Sequence, residues 1–156
     1  MQSRLRRLTR EDLPRLRDFW VQHWGSDDMI MHGEIVQYDE VEGFVFSDWT
    51  GLITFMIRGN ECEVTSLNSL QEGRGIGVAL IDEVVREAKD RQCCRLYLIT
   101  TNDNLNALGF YQKRGFELSA LHRGAINESR KLKPSIPLIG ENNIPLRDEI
   151  ELEMKL

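Results

Sequence analysis

The sequence lacks the features that mark secreted and membrane-spanning proteins. It has only three cysteines, and Cys93 and Cys94 are adjacent, which suits neither an ordinary disulfide nor a CxxC metal or redox site. No apolar run approaches the length of a membrane span, and the basic N-terminus has no apolar segment of the kind found in secretion signals. We therefore expect a cytoplasmic protein with reduced cysteines and no membrane partner.

Positive charge is also scarce. The chain has 20 lysines and arginines against 25 acidic residues, which gives a formal net charge of −5. Because nucleic-acid binding requires basic patches, this balance predicts no nucleic-acid partner. The three histidines show no metal-ligand spacing, so no metal site is predicted. The length of 156 residues and the hydrophobic content of 41% suit a single domain over residues 1–156.

Apolar periodicity predicts a mixed α/β domain. An antiparallel meander comes first, and the strand after the central helix should run parallel to the strand before it. The last strand alternates between apolar residues and glutamates, and could pair with a second copy in a homodimer. Residues 24–42 are expected to form a short helix plus loop. The other predicted elements are strands at 5–8, 43–46, 52–58, 61–67, 95–100, 116–121 and 147–154, and helices starting near residues 10, 76, 104 and 127.

Three alternating glycines, at positions 73, 75 and 77, lie between a β-branched strand and an apolar helix. Free N–H groups and the helix dipole make such a junction an anion site, so we expect a phosphate-bearing ligand. A P-loop would need Gly-Lys-Ser/Thr after its glycines, and a dinucleotide fingerprint would need GxGxxG; both are absent. A plain turn would explain one or two of these glycines, but three less easily.

Two segments resemble signatures of the GNAT superfamily of N-acetyltransferases. Residues 72–77, Glu-Gly-Arg-Gly-Ile-Gly, resemble its acetyl-CoA loop, Gln/Arg-x-x-Gly-x-Gly/Ala. Residues 104–116 resemble its segment Asn-x-x-Ala-x-x-Phe/Leu-Tyr-x-x-x-Gly-Phe. The order of elements matches as well. The resemblance implies the GNAT fold, a central twisted mixed sheet of about six to seven strands flanked by about four helices.

This resemblance implies transfer of the acetyl group of acetyl-CoA to a primary amine of a small molecule or protein, by direct attack in a ternary complex. A backbone N–H in residues 65–67 would polarise the thioester carbonyl. The preceding strand would pair with the pantetheine arm of coenzyme A. The cofactor-binding residues implied in this way are Leu67, Ser69, Gly73, Arg74, Gly75, Ile76, Gly77, Val78, Asn104, Ala107 and Tyr111.

The same resemblance assigns candidate catalytic residues. Tyr111 matches the family's general acid, with an acidity near that of the departing thiol; the alternative, which we favour less, is a packed helix aromatic. Glu61 and Glu63 share a strand face and are candidate bases for the amine; Glu61 falls where histone-type members place theirs. Both could instead be solvent-facing strand residues. Asn104 could contact the cofactor, cap its own helix, or do both.

Glu72 departs from the family pattern, which usually has Gln or Arg there. A carboxylate would repel a pyrophosphate unless it points away, and Gln71 or Arg74 could supply the lost polar contact. Glu72 thus favours an alternative function, a non-catalytic acyl-CoA-binding regulatory module, whereas Tyr111 and the intact glycines favour the enzyme. A purely structural domain is the third alternative. The basic run at 130–133 could bind an acidic part of the substrate.

Overall fold

A seven-stranded mixed sheet forms the frame of the protein, for which a computed structural model describes residues 3–156. The chain has four α-helices in that range: α1 (Leu13–Trp24), α2 (Ile76–Asp90), α3 (Leu105–Lys113) and α4 (Ala125–Leu132). The strands are β1 (Leu5–Arg7), β2 (Asp28–Met31), β3 (Glu34–Gln37), β4 (Glu42–Phe46), β5 (Gly51–Arg58), β6 (Glu61–Ser69), β7 (Arg95–Thr101), β8 (Glu117–His122) and β9 (Glu149–Lys155).

The large sheet has the strand order β1-β4-β5-β6-β7-β9-β8, and β2 and β3 form a separate pair. Mixed α/β architecture, the number of strands in the sheet and the number of helices all confirm the prediction. Within residues 3–156, no helix combines the length and apolar content that crossing a bilayer requires.

The prediction of a short helix plus loop over residues 24–42 is wrong for residues 28–37, and the helical part is a single 3-10 turn at Tyr38–Glu40. Residues 28–37 form the β2–β3 hairpin, joined by a two-residue turn in which His32 and Gly33 have φ of 52° and 75°. Two positive φ values are typical of the tight turns that match the twist of a hairpin. A histidine occupies the position where Asn or Asp is usual, so the turn signal was missed in the sequence.

One face of the large sheet is apolar because α2 packs on it. Leu80 and Val84 of α2 are fully buried in a cluster that includes Leu96 of β7 and Leu152 of β9. Since neighbouring strand residues point to opposite faces, the residues between these apolar positions form a polar face on the other side. The candidate bases Glu61 and Glu63 belong to that polar face.

The pairing of β6 with β7 is parallel, as predicted, but short. It joins only residues 61–64 to residues 95–98, whereas β6 continues beside β5 as far as Ser69. A register shift opposite Thr54 leaves Thr65 as an extra residue, which is a β-bulge. The two strands therefore separate beyond Val64 and leave a gap in the middle of the sheet.

The last strand, β9, lies between β7 and β8 and is antiparallel to both. Its glutamate face binds Arg95 of β7 through Glu151 and Glu153. Because both sides of β9 are paired within the chain, the expectation that this strand pairs with a second copy is wrong. The edge strand at this end is β8, and a homodimer stays a prediction.

The segment between α4 and β9 is fixed by the basic run at its start. Arg130 donates hydrogen bonds to three carbonyl oxygens of this segment, at 3.1, 2.9 and 2.8 Å. Lys131 pairs with Glu128 at 3.0 Å, and Lys133 pairs with Asp28 at 2.8 Å. Arg130 and Lys133 thus stabilise the fold, whereas Lys131 is exposed, and binding of an acidic part of the substrate by this run stays a prediction.

The start of α1 depends on Asp12. Its carboxylate accepts hydrogen bonds from the Arg6 guanidinium at 2.7 and 2.8 Å and from the Thr9 N–H at 2.7 Å. These hydrogen bonds, the one from Arg6 above all, lower the pKa of Asp12 to about 2. The folded state therefore favours the ionised carboxyl group.

We expect Asp12→Asn to lower the free energy of unfolding near neutral pH by about 1 kcal/mol, because the pair with Arg6 is partly solvent-screened. The wild-type advantage is full above the unfolded-state pKa of about 4 and is lost as pH falls through about 2. Urea unfolding at about pH 6 and about pH 3 measures the difference, which should narrow at the lower pH. Exposed Asp18→Asn is the control. An undiminished difference at low pH would contradict the assignment.

Candidate active site

The gap between β6 and β7 opens into a cavity of about 650 Å³. Residues 64–69 and 98–101 form its two strand walls, and residues 71–78 and one side of α3 close it. Trp24, at the end of α1, completes the lining and donates its indole N–H to Asn68 at 3.0 Å. Strands, the turn before α2 and residues of several helices therefore all contribute to the wall of this one cavity.

The wall formed by β6 has unpaired backbone groups. In an antiparallel pair, alternate residues turn their N–H and C=O groups away from the partner strand. Beyond Val64 these groups on β6 point away from β5, toward a gap where β7 no longer pairs. An extended ligand can therefore hydrogen-bond to β6 as an added strand would.

The turn before α2 presents donors to the same cavity. Gly73 and Gly75 have φ of 74° and 71°, the left-handed region in which glycine is favoured. Among residues 3–156, no acceptor is found for the N–H groups of residues 75–78. These groups lie at the positive end of a helix of 15 residues. The turn is therefore built to bind an anion.

The third glycine serves a different purpose. Gly77 lies within α2 and has no positive φ. A Cβ atom at this position would lie 3.0 Å from Cζ of Phe110 on α3. The small residue lets α2 and α3 approach closely, so Gly77 sets the width of the cavity instead of the shape of the turn.

The charged side chains that line the cavity are Glu72 and Arg114. The Nε atom of Arg114 is buried without a hydrogen-bond partner in the described part of the chain, and its guanidinium lies 5.6 Å from the centre of the Phe110 ring. Gln71 also lines the cavity, but Arg74 does not. Arg74 is exposed between the two left-handed glycines, whose backbone forms the lining. The cation in the lining is thus Arg114, and the ligand contact expected from Arg74 stays a prediction.

Asn104 caps α3. Its side-chain oxygen accepts a hydrogen bond from the N–H of Ala107 at 3.1 Å, and both residues line the cavity. The structural alternative for Asn104 is thus confirmed. Its place in the lining leaves a ligand contact available as well.

Tyr111 is both packed and directed to the cavity lining. Its ring lies 5.3 Å from that of Phe110 and 5.6 Å from that of Phe116, and the residue is 8% exposed. Its hydroxyl makes no hydrogen bond within residues 3–156. Burial raises the pKa of Tyr111 above its ordinary value. The close match to thiol acidity expected from the sequence therefore does not hold, and Tyr111 keeps its proton far above neutral pH.

The two candidate bases occupy different surroundings, and neither lines this cavity. Glu61 begins β6 and is bound to Arg95 at 3.0 Å, which commits it to the ion-pair network on the polar face. Glu63 is only 3% exposed, and its oxygens lie 2.9 Å from Nε2 of His32 and 3.2 Å from the hydroxyl of Tyr97. The view of Glu63 as a solvent-facing strand residue is therefore wrong.

The predicted cofactor residues, Arg74 excepted, meet at this one cavity. Sequence reasoning missed other lining residues because they come from distant elements or carry no motif. The Phe110 and Arg114 positions lie inside the second signature and were readable there. The lining residues to which the sequence assigned no role are Val64, Leu98, Ile99, Thr100, Thr101, Asn106, Phe110 and Arg114.

Such a cavity suits an extended ligand with an anionic group at the α2 end and a polar chain along β6. The reactive end would lie near Tyr111, where β6 and β7 begin to separate. Backbone N–H groups there could stabilise negative charge on a carbonyl oxygen. The Tyr111 hydroxyl could give a proton to a leaving group.

Comparison of the sequence with known families gives one match over most of the chain. The sequence model described as Acetyltransferase (GNAT) family matches residues 11–116. The uncharacterized protein YdhI of Bacillus subtilis (strain 168) is 45% identical over 139 residues, which cover 86% of this chain and 87% of that protein.

Solved structures share the fold. A GNAT family acetyltransferase from Elizabethkingia anophelis, with acetyl-CoA bound, is 20% identical with a TM-score of 0.72 over 99% of both chains. A Bacillus subtilis acetyltransferase in complex with CoA is 19% identical with a TM-score of 0.70, also over 99% of both. These likenesses confirm the fold predicted from the two signatures.

Alanine substitution should change the free energy of unfolding in opposite directions at two glycines, one in the turn and one in α3. Gly75→Ala should lower the free energy of unfolding by about 1–2 kcal/mol, because alanine is strained at positive φ although nothing lies within 4 Å of its Cβ. Gly109→Ala, inside α3 and equally uncrowded, should raise it by about 0.5–1 kcal/mol. Urea unfolding compares both variants. An equal change in the free energy of unfolding for the two variants would show that a side chain at position 75 does not strain the turn.

Proposed function

The chain belongs to the GNAT family of acetyltransferases, and from this premise we propose that it transfers the acetyl group of acetyl-CoA to a primary amine by direct attack in a ternary complex. The observation that carries the proposal is the single cavity in which free amides of the α2 turn, the unpaired edge of β6 and Tyr111 lie together. Each part matches one requirement of the reaction.

The residues present fit coenzyme A. The N–H groups of residues 75–78 would bind the pyrophosphate, and the free edge of β6 near Leu67 and Ser69 would bind the pantetheine arm. Arg114 would bring positive charge to an anionic ligand, which offsets the carboxylate of Glu72 in the same lining. The related folds crystallised with acetyl-CoA and with CoA support this choice of ligand.

Residues of the chain also match the chemical steps. A β6 N–H in residues 65–67 would donate to the thioester oxygen as negative charge develops there. Tyr111 would protonate the leaving thiolate. Burial raises the pKa of Tyr111, so the phenol stays protonated until the thiolate leaves, and its oxygen then regains a proton from the attacking nitrogen.

Two measurements test the function. Calorimetry with acetyl-CoA asks whether the cavity binds the cofactor, and a screen of amines asks whether free CoA thiol is released above hydrolysis. Binding with thiol release supports the enzyme. Binding without release by any amine favours the regulatory module, and absence of binding favours a structural domain.

Replacing Tyr111 with Phe tests its role as the acid. We expect kcat to fall by about 10²-fold, the scale of general acid catalysis, with the affinity for acetyl-CoA retained because the ring still packs. Steady-state thiol release and calorimetry measure the two quantities. Tyr38→Phe, outside the cavity, is the matched control. An unchanged kcat would remove Tyr111 from the mechanism.

Glu72 should weaken cofactor binding through charge repulsion. Glu72→Gln is therefore expected to raise the affinity for acetyl-CoA by about threefold, the scale of an exposed charge interaction. The gain should shrink at high salt because exposed charges are screened. Calorimetry at low and high salt measures it, with Glu117→Gln on β8 as the control. A loss of affinity would show that Glu72 itself hydrogen-bonds the ligand.

A further inference from the structure

A second cavity, of about 480 Å³, lies on the polar face of the sheet. It is lined by the turn of the β2–β3 hairpin, by one side of α4, and by residues of β7, β8 and β9. Ile99 of β7 lines both this cavity and the cofactor cavity. The two cavities therefore adjoin at Ile99, one residue beyond the last β6–β7 pair. A second substrate held here would lie on the face of the sheet opposite α2.

His32 stands at the mouth of this second cavity. Its backbone is held at positive φ by the tight hairpin turn, and Asn or Asp would satisfy that turn equally well. The turn alone therefore does not explain an ionisable ring. The ring Nε2 lies 2.9 Å from the Glu63 carboxylate, a contact between elements 31 residues apart in sequence.

Glu63 is buried and holds His32 in one orientation. It accepts a hydrogen bond from the hydroxyl of Tyr97 at 3.2 Å on its other oxygen. Burial first, and then the charge of Glu63, raise the pKa of Tyr97, so this phenol remains a donor. With both oxygens of Glu63 in contact with a neighbour, the Nε2–H tautomer of His32 would donate to Glu63 and leave a lone pair on Nδ1. Nδ1 makes no hydrogen bond within residues 3–156.

The charges around His32 favour a cationic ligand. On β9, Glu149 lines the cavity, has no hydrogen-bond partner in the described part of the chain, and has its pKa raised by burial. On α4, Lys131 is paired with Glu128 at 3.0 Å, and on β8, His122 lies 3.0 Å from Glu151. His122 and the exposed Lys131 each contact a carboxylate, while Glu149 has no such partner in the described part of the chain and could bind an ammonium.

We propose that this second cavity binds a small cationic primary amine, with Glu149 attracting its ammonium and His32, positioned by Glu63, removing its proton. The proposal rests on the acetyl transfer proposed above and assigns its acceptor site. A concave cavity of this size suits a small molecule. Proton removal is required because an alkylammonium has a pKa of about 10 and cannot attack in that form.

The proton balance closes with residues on both sides of the sheet. Nδ1 of His32 takes one proton from the ammonium, and the amine nitrogen forms its bond to the acetyl carbon as the carbon–sulfur bond breaks. The departing sulfur takes the Tyr111 proton, and the phenol oxygen recovers a proton from the nitrogen. The products are the acetylated amine and CoA thiol, and His32 releases its proton to water.

His32→Asn is the central variant, because Asn suits the positive φ of the turn and should preserve the fold. With 1,3-diaminopropane as the probe amine, we expect kcat/KM at neutral pH to fall by about 10²-fold while acetyl-CoA affinity stays unchanged. The defect should shrink near pH 10, where the free amine is abundant. His23→Asn, on α1 and outside both cavities, should behave as wild type.

Two more variants separate positioning from binding. Glu63→Gln keeps a polar group beside Tyr97 but removes the charge, so it should shift the acid limb of the pH profile of kcat/KM.

Glu149→Gln should weaken binding of 1,3-diaminopropane to the CoA-bound protein by about tenfold, measured by calorimetry, and β-alanine, which carries a carboxylate, should bind poorly to the wild type.

The outcomes distinguish this inference from the proposed function. Thiol release by His32→Asn at the wild-type rate, with an unchanged pH profile, would overturn the acceptor site while acetyl transfer stands. Unchanged amine binding by Glu149→Gln would overturn the role of that carboxylate. Acetyl-CoA binding without thiol release by the wild type, for the diamine or any other probe amine, would overturn the acetyl transfer and the acceptor site together.

Discussion

The parting of β6 and β7 after four paired residues is the constraint on which the rest of the structure depends. Parallel strands in a sheet normally satisfy each other's backbone groups, and here that pairing stops at Val64. The bulge at Thr65 lets β6 keep its antiparallel partner β5 while it leaves β7. This interruption leaves β6 with an open edge and a cavity beside it. The second cavity adjoins the first at Ile99, next to the end of the pairing.

Much of the frame could be predicted from the sequence because it depends on local patterns. The stripe of α2, the alternation of β9 and the glycine turn each reflect a periodicity or a backbone requirement that neighbouring residues reveal. The β2–β3 hairpin was not predicted. Its turn has a histidine in place of Asn, and its strands do not alternate clearly between buried and exposed residues.

Side-chain partnerships were harder to predict, since they join residues far apart in the chain. Glu61 and Glu63 looked alike in the sequence, two residues apart on one strand face. Glu61 forms an ion pair with Arg95, whereas Glu63 is buried and contacts His32 and Tyr97. Nothing near either glutamate in sequence distinguishes these fates. Arg74 was expected at the cavity and Arg114 was not, for the same reason.

The β2–β3 hairpin contacts the large sheet through side chains, His32 with Glu63 and Glu34 with Arg58, and its strands are not part of the seven-stranded ladder. Substitution or lengthening of residues 28–37 would therefore leave the hydrogen bonds of the seven strands intact. Changes in this small element can therefore alter the wall of the second cavity at His32 and Gly33 while the strands around the first cavity keep their pairing.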